Sequence, residues 1–596
     1  MASATPMDGM QEEFVSVAQQ IWQLARHAPD RTAIVSDFRS GSFRELVHEA
    51  SALAQCLSSI QARSGVIAVA TDDCWEMTVA ALAAWRSGCA YLPVDPAGPR
   101  MRLRQMLTDA DVQFVMTGHR HHGCVPDSRC REIRIDDLPS LSSADVFSKD
   151  WMIRPQDVAY VVYTSGSTGE AKGVAISQAN LAHLTRWHQR AFDVGPDDRG
   201  TQFAHLTFDA AVLETWPLLA AGASLYVPDR SVPLQPERLR DFLTSQQITI
   251  CFAVTPIAEQ LLFLAWPSET RLRYLLTGAD TLHTFPRAHI PFRLVNNYGP
   301  SECTVLVTSG IVAVQNGQRG LPSIGQPISG VEIHLIDSEF RPVPDGEEGQ
   351  IAVSGASVGL GYVGRPELTA ERFKIIPWIS DSPVYLTGDA GRKLPNREIE
   401  FCGRIDDQIK IRGYRIEPGE VAAALKTHPA VAAVVVSAIG DEANRHLAAY
   451  LVLTTDVTAS DLRKHVETRI PAYMVPGCFV RVQELPITAN GKVDRRALPA
   501  PDGSNMLQEG KAAAEHQSDI QSSVASILSE LLGGRQLRLD DNFFAVGGNS
   551  MLAAQVIARL HKSLKVDLPL RTVFRSPTIA ALSSEIERRI GTGLSA

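Results

Sequence analysis

A loop rich in glycine and hydroxyl side chains, residues 163–174 with the sequence YTSGSTGEAKGV, is the segment best suited to chemistry. Gly166 and Gly169 can adopt backbone conformations that are closed to other residues. Exposed backbone amides, the hydroxyls and the cation of Lys172 suit the binding of a polyphosphate. Lys172 is followed by Gly173 rather than by Ser or Thr, so the loop is not a Walker A motif. Taken alone, the loop is also compatible with an ordinary turn.

The elements around this loop predict an α/β architecture. Short, continuously apolar strands such as VAYVV, directly before the loop, alternate with amphipathic helices over the first 400 residues or so, which is typical of parallel sheets buried on both faces. Beyond this region, paired strands and a helix indicate a small α+β unit. Residues 500–516 have the small and polar composition of a linker, and the remaining C-terminal segment has the apolar spacing of a helical bundle.

Composition excludes several classes of protein. The 596 residues include 57 Lys and Arg against 66 Asp and Glu, which gives a net charge of −9 and argues against a dedicated nucleic-acid binder. No apolar run approaches the roughly 18 residues of a transmembrane helix, and the N-terminus lacks a secretory signal pattern. The cysteines are scattered, odd in number and form no CxxC pair, so we expect a reduced, cytoplasmic protein that does not contact a membrane.

Further motifs accompany the Gly-rich loop in a fixed chain order. They are WRSGCAYLPVDP (85–96), FDAAVLETW (208–216), YGPSE (298–302), GQIAVSG (349–355), GYVGRPELTAERF (361–373), YLTGD (385–389), GRIDDQIKIRGYRIEPGEV (403–421) and LPITANGKVDRRAL (485–498). From about residue 20 to 500, their order and spacing resemble the adenylate-forming superfamily, specifically the amino-acid adenylation domains of nonribosomal peptide synthetases. The segment DDNFFAVGG, which precedes Asn549 and Ser550, resembles a carrier-protein attachment site, although Asn549 stands where His or Asp is more usual.

The resemblance implies a fold, a set of boundaries and a reaction. The fold is an α/β large N-terminal subdomain of an adenylation domain (1–405), its mobile α+β C-terminal subdomain (406–499), a linker (500–516) and an all-α, four-helix carrier domain (517–596). The reaction is activation of an L-amino acid with ATP, followed by its loading as a thioester on the phosphopantetheine arm of the carrier domain. We therefore expect an ATP-dependent ligase.

The resemblance also implies the residues of a nucleotide site. Asp389 would accept hydrogen bonds from the ribose diol, Arg404 would reach nucleotide oxygens, and Glu302 would associate with Mg²⁺. Tyr298 would lie near the adenine. Individually, these residues also fit a turn, a surface salt bridge, a helix N-terminus and a core tyrosine. The implied ATP- and AMP-binding residues are Thr164, Ser165, Gly166, Ser167, Thr168, Gly169, Lys172, Asn297, Tyr298, Gly299, Ser301, Glu302, Asp389 and Arg404.

Two lysines are the implied catalytic residues. Lys492, in ANGKVDR, would bridge carboxylate and phosphate oxygens during adenylation, where two negatively charged groups must meet. Asp406 matches the family's hinge position, about which the C-terminal subdomain rotates between the adenylating and thioester-forming states. Lys410 and Arg412 would be presented in the second state, although both also fit a charged edge strand.

Asp209 and a set of mostly apolar positions define the implied amino-acid site. Asp209 would pair with the substrate α-ammonium group, although it could also cap the next turn. The other lining positions are Ala210, Leu213, Ala253, Leu276, Gly278, Asn297, Val305 and Leu306, and the assignment of Ala253 is uncertain by one residue. The set resembles leucine-type pockets and contains no charged residue besides Asp209. We therefore expect a branched aliphatic substrate, leucine first and then valine or isoleucine.

Ser550 is the implied attachment site for 4′-phosphopantetheine, although a serine at a helix start is commonly only an N-cap. The expected partners are an amino-acid substrate, a phosphopantetheinyl transferase and a downstream condensation or other synthetase module in trans. The need for an MbtH-like helper, the product and the oligomeric state are open. The alternatives are an acyl- or aryl-CoA ligase-like enzyme and an inactive scaffold protein.

One other segment contains ligand-type residues. The stretch GHRHHGCVPDSRC places His119, His121, His122, Cys124 and Cys130 close together in sequence. These are zinc-type ligands, but their spacing matches no standard zinc pattern, and the surrounding Gly, Pro, Asp and Ser favour an exposed loop. We expect the loop rather than a metal site.

Overall fold

The structure is a computed structural model. It describes residues 14–60, 65–125, 129–139, 141–142, 146–147, 152–166, 169–233, 235–314, 320–406, 408–411, 413–440, 445–487, 493–502, 504–508, 518–532, 537, 539, 543, 550–566, 568, 572–573 and 576–591. No helix within these ranges has both the length and the apolar character that a membrane span requires.

A nine-stranded sheet with a parallel centre forms one side of the large subdomain. In spatial order its strands are β15 (Gln326–Pro327), β14 (Thr308–Ile311), β13 (Arg293–Tyr298), β12 (Tyr274–Gly278), β11 (Ile250–Val254), β9 (Arg199–Thr201), β10 (Ser224–Val227), β1 (Thr32–Ser36) and β2 (Ser40–Ser42). The strands from β13 to β1 run parallel, and antiparallel strands close both edges.

A seven-stranded sheet forms the second layer. In spatial order its strands are β18 (Gly361–Tyr362), β8 (Lys172–Ser177), β7 (Val158–Thr164), β4 (Ala90–Val94), β3 (Val66–Ala70), β5 (Phe114–Thr117) and β6 (Arg131–Arg134). β7 and β8 pair antiparallel, so the Gly-rich loop is the turn between them, whereas the strands from β7 to β6 run parallel.

Five of the helices of the large subdomain share an apolar core with these two sheets. The helices of the large subdomain are α1 (Val17–His27), α2 (Phe43–Ser59), α3 (Cys74–Arg86), α4 (Arg100–Asp109), α5 (Gln178–Phe192), α6 (Ala210–Ala220), α7 (Pro236–Ser245), α8 (Thr255–Leu261) and α9 (Pro366–Arg372). Ser16, Ser42 and Ser177 begin α1, α2 and α5 with reciprocal capping boxes. Buried side chains of α1, α2, α3, α5 and α6 share one apolar core with both sheets, which we call the main core.

A third, antiparallel sheet ends the large subdomain. Its strands are β16 (Val331–Ile336), β17 (Glu348–Gly355), β20 (Ser380–Lys393) and β19 (Phe373–Ile376), with β21 (Ile399–Arg404) paired to β20. The register between β20 and β21 sets Asp389 opposite Arg404. Two residues of the implied nucleotide site are therefore neighbours through backbone pairing alone.

The C-terminal subdomain has its own sheet and core. Its elements are β22 (Ile409–Ile411), β23 (Tyr414–Ile416), α10 (Pro418–Lys426), β24 (Val431–Ile439), β25 (His446–Leu453), α11 (Ala459–Glu467) and β26 (Cys478–Arg481). Pro418 stands in the first turn of α10, where its missing N–H has no helical partner to lose. Ile416, Val421, Leu451 and Phe479 lie in the core between hairpin, helices and sheet.

The carrier domain is helical. Its helices are α12 (Asp519–Leu531), α13 (Ser550–Leu564) and α14 (Ile579–Gly591), and their apolar faces enclose a separate core that includes Val524, Leu560 and Ile586. The expected fold class, an α/β large subdomain with a small C-terminal subdomain and a carrier domain, is confirmed. Of the four expected carrier helices, these three have bounds within the described residues.

Candidate functional site

The Gly-rich loop lies against the C-terminal subdomain. Gly169 has a left-handed φ of 90°, and a Cβ at this position would lie 2.8 Å from the Cβ of Ala423 in α10. Glycine therefore meets both a backbone requirement and a close approach here. Ser167 and Thr168, which the sequence also assigns to the loop, lie outside the described residues.

Two polar contacts join the loop to that subdomain. The hydroxyl of Ser165 donates to the backbone oxygen of Arg415 at 2.9 Å, and the amide of Gly166 donates to Oε2 of Glu420 at 3.2 Å. Arg102 of α4 forms an ion pair with the same Glu420 carboxylate. Burial raises the pKa of Glu420, and the Arg102 guanidinium opposes that rise. Neither Glu420 nor Arg102 is among the residues predicted from the sequence.

Glu302 is fully buried at the centre of a charged cluster. It lies in the short 3₁₀ helix Ser301–Cys303 that follows β13. Its Oε1 is 3.1 Å from Nζ of Lys172 and accepts a hydrogen bond from the Tyr362 hydroxyl at 2.8 Å, while its Oε2 is 2.8 Å from Nη1 of Arg415. Burial alone would raise the pKa of Glu302, but Arg415 and Lys172 hold it well below the usual range. The cluster joins two predicted residues, Lys172 and Glu302, with two that the sequence did not single out.

Asp389 is also buried, and both of its oxygens accept hydrogen bonds. The Tyr298 hydroxyl donates to Oδ2 at 2.6 Å, and Nη1 of Arg404 donates to Oδ1 at 2.6 Å. Arg404 in turn binds both oxygens of Asp406, at 2.7 and 2.8 Å. Burial would raise the pKa of Asp406, and the Arg404 guanidinium lowers it below its usual value. Three implied nucleotide residues and the implied hinge residue thus form one network.

A cavity adjoins this network. Its walls include Ala279, Tyr298, Gly299, Phe401 and Lys410. Nζ of Lys410 lies 5.8 Å from the ring centroids of both Tyr298 and Phe401, and burial lowers its pKa. A cavity with aromatic walls and a half-buried lysine suits a planar, anionic ligand. It brings together the predicted Lys410, Tyr298 and Gly299.

Asp209 precedes α6 without capping it. Its side chain makes no capping hydrogen bond and instead accepts one from the Ser301 hydroxyl. Burial raises the pKa of Asp209, and the hydrogen bond from Ser301 opposes that rise. Because Ser301 is adjacent to Glu302, the implied ammonium site and the implied Mg²⁺ site share one short segment.

Most of the implied amino-acid pocket lies on one side of the nine-stranded sheet. Leu213, Leu276 and Leu306 are buried in the main core, and Ala210 and Val305 pack against it. These five side chains come from α6, β12 and the segment after the 3₁₀ helix, so the tertiary fold brings together positions that the sequence separates.

Ala253 lies apart from that group. Its side chain belongs to a different apolar cluster with Cys251, whereas Phe252, the residue before it, faces the main core and pairs in register with Leu276. Successive side chains of a strand point to opposite faces, so Phe252 occupies the place that the sequence assigned to Ala253. The period-two pattern of ITICFAV could have located it.

Close backbone packing shapes the end of this region. A Cβ on Gly278 would lie 2.6 Å from the backbone oxygen of Asn297, and one on Gly299 would lie 2.3 Å from Cα of Leu306. Val305 has a φ of 73°, which is unusual for a β-branched residue. The amide of Asn297 is buried and has no hydrogen-bond partner among the described residues. Strain and an unpaired amide at one place are typical of binding sites.

The structure gives no side-chain geometry for three further predicted positions, and the roles of all the predicted site residues stay predictions. Lys492 and Arg412 lie outside the described residues. Ser550 is the first residue of α13, which agrees with its expected place at a helix start, but its side chain is not among those described.

Two histidines of the histidine-rich loop contact carboxylates. His119 lies 2.6 Å from Glu76, and His121 lies 2.8 Å from Asp72. Within the described part of the chain, no group of three or more His, Cys, Asp or Glu side chains is arranged to hold a metal ion. The pairs instead tie the loop to the start of α3.

Family models match three consecutive regions. Residues 21–363 match the model of an AMP-binding enzyme, residues 420–492 match the AMP-binding enzyme C-terminal domain, and residues 522–586 match a phosphopantetheine attachment site. The matched regions follow the order predicted from the motifs.

Curated relatives include large peptide synthases. The chain is 41% identical over 582 residues to one of the proteins of the linear gramicidin synthase of Brevibacillus parabrevis, covering 96% of this chain and 7% of the relative. It is 35% identical over 577 residues to bacitracin synthase 1 of Bacillus licheniformis, covering 96% of this chain and 11% of the relative. The chain thus spans a small fraction of these relatives' length.

Solved structures that contain adenylation and PCP domains are similar to this chain. An NRPS protein containing adenylation and PCP domains, bound to a vinylsulfonamide inhibitor, has a TM-score of 0.78 at 25% identity, with 96% of each chain covered. An artificially fused adenylation–PCP didomain from Klebsiella oxytoca has a TM-score of 0.70 at 25% identity, covering 79% of this chain and 95% of that chain. Both carry the two kinds of domain that the motifs predicted.

Proposed function

Because the chain belongs to the AMP-binding enzyme family and carries a phosphopantetheine attachment domain, we propose that it activates an L-amino acid and loads it onto its own carrier domain. In the first step a carboxylate oxygen of the amino acid attacks the α-phosphorus of ATP, and pyrophosphate leaves. In the second step the phosphopantetheine thiol on Ser550, losing its proton, attacks the aminoacyl carbonyl carbon, and AMP leaves. The product is an aminoacyl thioester.

The observation that carries this proposal is the joint position of Asp209, Ser301 and Glu302. The half-buried carboxylate of Asp209, which can bind an ammonium group, is hydrogen-bonded to the residue adjacent to the proposed metal ligand. An α-amino acid bound through its ammonium group would therefore lie beside the phosphates. An acyl- or aryl-CoA ligase substrate has no ammonium group and would leave Asp209 unpaired.

The described residues fit ATP and Mg²⁺ by their chemistry. Tyr298, Arg404 and Asp389 offer the acceptors and donors that a ribose and its phosphates require. Glu302 is buried and its pKa is held low, so it is ionised and suits a cation that takes few protein ligands. When bound, Mg²⁺ would neutralise phosphate charge. Nζ of Lys172 contacts Oε1 of Glu302 and so helps to hold this carboxylate in place.

We assign the two lysines to different steps. Lys492 would hold the substrate carboxylate and the α-phosphate together during adenylation, and Lys410, which lines the aromatic cavity, would serve the thioester-forming state. Asp406 would be the hinge, since it ties Arg404 of the last strand in the large subdomain to the start of the C-terminal subdomain. The proposed boundary between the subdomains therefore stays at residues 405 and 406.

The pocket favours a branched aliphatic substrate, with leucine first and valine or isoleucine next. Leu213, Leu276 and Leu306 are apolar. Phe252, rather than the smaller Ala253, faces this group and makes the proposed pocket narrower. This set offers no charged partner for a substrate side chain. We propose a phosphopantetheinyl transferase and further synthetase modules as partners.

The deciding experiment is amino-acid-dependent exchange of labelled pyrophosphate into ATP across the proteinogenic amino acids. We expect leucine, valine and isoleucine to support exchange and aspartate, lysine and arginine to fail. The matched control is 4-methylpentanoic acid, which is leucine without its amino group. If this acid supports exchange as well as leucine does, the acyl-ligase alternative replaces the proposal. Absence of exchange with every amino acid would favour an inactive scaffold.

A further inference from the structure

A short segment that follows the C-terminal subdomain lies along the edge of that subdomain's sheet. The sheet consists of β24, β25 and β26, and β26 stands at one edge. Met506 pairs antiparallel with β26. The amide of Arg481 donates to the backbone oxygen of Asn505 at 2.8 Å, and the amide of Leu507 donates to the backbone oxygen of Phe479 at 2.8 Å. The segment thus supplies backbone partners that an edge strand otherwise lacks.

The side chains of the segment pack on both faces of the sheet. Met506 packs against the apolar cluster that contains Tyr450, and Leu507 packs against the core of the C-terminal subdomain that contains Phe479. Successive side chains of an extended backbone point to opposite faces, so a single backbone pairing places both residues in apolar surroundings. Met506 and Leu507 are the two large apolar residues of the stretch 500–516, whose composition is otherwise that of a linker.

Both ends of the segment are also held by hydrogen bonds. The backbone oxygen of Gln508 accepts from the amide of Ala459 at 2.9 Å. Ala459 is the first residue of α11, where an amide has no partner within its own helix. On the other side, Oδ1 of Asp502 accepts from the amides of Ser504 at 2.7 Å and Asn505 at 3.2 Å. Residues 505–508, which we call the anchor segment, are therefore joined to the sheet, to α11 and to the preceding turn.

We propose that the anchor segment attaches the carrier domain to the C-terminal subdomain through a short connection and thereby favours loading of the protein's own carrier over that of another chain. The inference rests on the proposed function, in which the carrier domain brings its thiol to the adenylation site. Nine residues, 509–517, separate Gln508 from Ser518, the N-cap of α12. In any conformation these residues span at most about 35 Å.

Without the anchor segment the connection would be about twice as long. Leu498 packs on the same cluster as Met506, so an unanchored connection would comprise residues 499–517. The effective concentration of a tethered group falls with about the −3/2 power of the connection length once the connection is long enough to reach. Doubling the length therefore lowers the effective concentration of the phosphopantetheine arm at the adenylation site by roughly 3-fold. A carrier on a second chain is unaffected, so the ratio of loading in cis to loading in trans falls.

Hydrogen exchange tests the anchor segment without any catalytic step. In the full-length protein the amides of Leu507 and Ala459 should exchange slowly, because each donates a hydrogen bond within the anchored region. Leu507→Glu places a charge where an apolar side chain packs, and should make the amides at positions 507 and 459 exchange faster. Gln508→Glu adds the same charge at an exposed residue of the same segment and should retain the slow exchange.

A competition experiment measures the consequence for loading. The holo form of the full-length protein is given ATP and leucine for a single turnover, together with increasing amounts of holo Asp209→Ala protein as an acceptor in trans. Intact mass distinguishes the two chains. The acceptor concentration that diverts half of the aminoacyl groups should be roughly 3-fold lower for Leu507→Glu than for wild type, and Gln508→Glu should match wild type.

Two further variants separate loss of the anchor from loss of folding. Met506→Glu disrupts the contact on the other face of the sheet and should behave like Leu507→Glu. An insertion of about ten Gly and Ser residues after Gln508 lengthens the connection with the anchor segment intact. It should lower the half-diversion concentration by the same factor while the amides of Leu507 and Ala459 still exchange slowly. Melting temperature and normal pyrophosphate exchange identify the variants that are folded.

Three results would overturn the inference. The first is rapid exchange of the Leu507 and Ala459 amides in wild type. The second is an unchanged half-diversion concentration in folded Leu507→Glu and Met506→Glu while the insertion lowers it. The third is a half-diversion concentration that does not respond to the insertion, since connection length would then not control loading. If wild type loads no amino acid at all, the proposed function fails, and hydrogen exchange alone decides whether the anchor segment exists.

Discussion

The hydroxyl of Ser301 donates a hydrogen bond to the half-buried carboxylate of Asp209, a residue 92 positions earlier in the chain. This contact fixes the proposed amino-acid anchor to the segment that carries the proposed metal ligand. If the proposed roles hold, the substrate carboxylate and the nucleotide phosphate would therefore bind beside one another at this segment.

Asp209→Ala should lower kcat/KM for leucine in pyrophosphate exchange by roughly 10²- to 10⁴-fold, because leaving the substrate's ammonium group unpaired in the pocket costs about 3–5 kcal/mol. ATP binding, measured by calorimetry, should change far less. The ratio of kcat/KM for leucine to that for 4-methylpentanoic acid should be smaller in the variant than in wild type. Asp197→Ala removes an exposed aspartate and serves as control. Equal losses with leucine and with the desamino acid would remove Asp209 from the anchoring role.

Phe252→Leu should shift the substrate profile toward larger side chains, because a smaller residue opens the side of the pocket next to Leu276. Exchange with phenylalanine relative to leucine should rise several-fold. Ala253→Gly changes the neighbouring residue, whose side chain lies in the other apolar cluster, and should leave the ratio unchanged. The opposite result, a response at position 253 and none at 252, would restore the assignment made from the sequence.

Lys492→Ala should reduce adenylation by about 10²-fold or more, because the variant loses a cation directed at the charge that develops in the transition state. The melting temperature should stay within a degree or two of wild type, since the surrounding motif is polar. Pyrophosphate exchange measures the first effect and differential scanning fluorimetry the second. Near-normal exchange would exclude Lys492 from catalysis.

Ser550→Ala should leave adenylation intact and abolish thioester loading, because the two reactions depend on separate domains. Intact-mass measurement after treatment with a phosphopantetheinyl transferase and CoA should show the added arm on wild type alone. Ser563→Ala, in the same helix, is the matched control and should be modified normally. An arm that persists in Ser550→Ala would place the attachment site elsewhere.

Glu214 should make stability fall as pH rises. It is buried in α6 and accepts the amides of Phe203 and Ala204, and burial raises its pKa to about 8 from an ordinary 4.5. Between these two pKa values the folded protein keeps a proton that the unfolded chain has released. The free energy of unfolding therefore falls by about 1.4 kcal/mol for each unit by which the pH rises. Melting temperature should decline from pH 6 to 8, and less steeply in Glu214→Gln. Parallel declines in both proteins would refute this linkage.

The sequence predicted those parts of the site that depend on short motifs. Asp389, Glu302 and Asp209 each stand in a recognisable local pattern, and the alternation of apolar strands with helices predicted the layered fold. Arg415 and Glu420 also lie within a motif, but their partners are more than 100 residues away, and only tertiary packing reveals those contacts. For the strand β11 the sequence indicated Ala253 as a pocket residue, whereas its neighbour Phe252 faces the main core. Motif spacing alone does not fix to which face of the sheet a strand residue points.

The contact between Gly169 and Ala423 bears on how such modules can be recombined. A Cβ on the loop residue would lie 2.8 Å from the Cβ of Ala423, so the close approach of α10 requires glycine at position 169. A C-terminal subdomain grafted onto a large subdomain whose loop carries a side chain at that position would be held away from the loop, and such a chimera could fold in both halves yet fail to bring them together. A single loop residue of one subdomain therefore limits which partner subdomain can approach it.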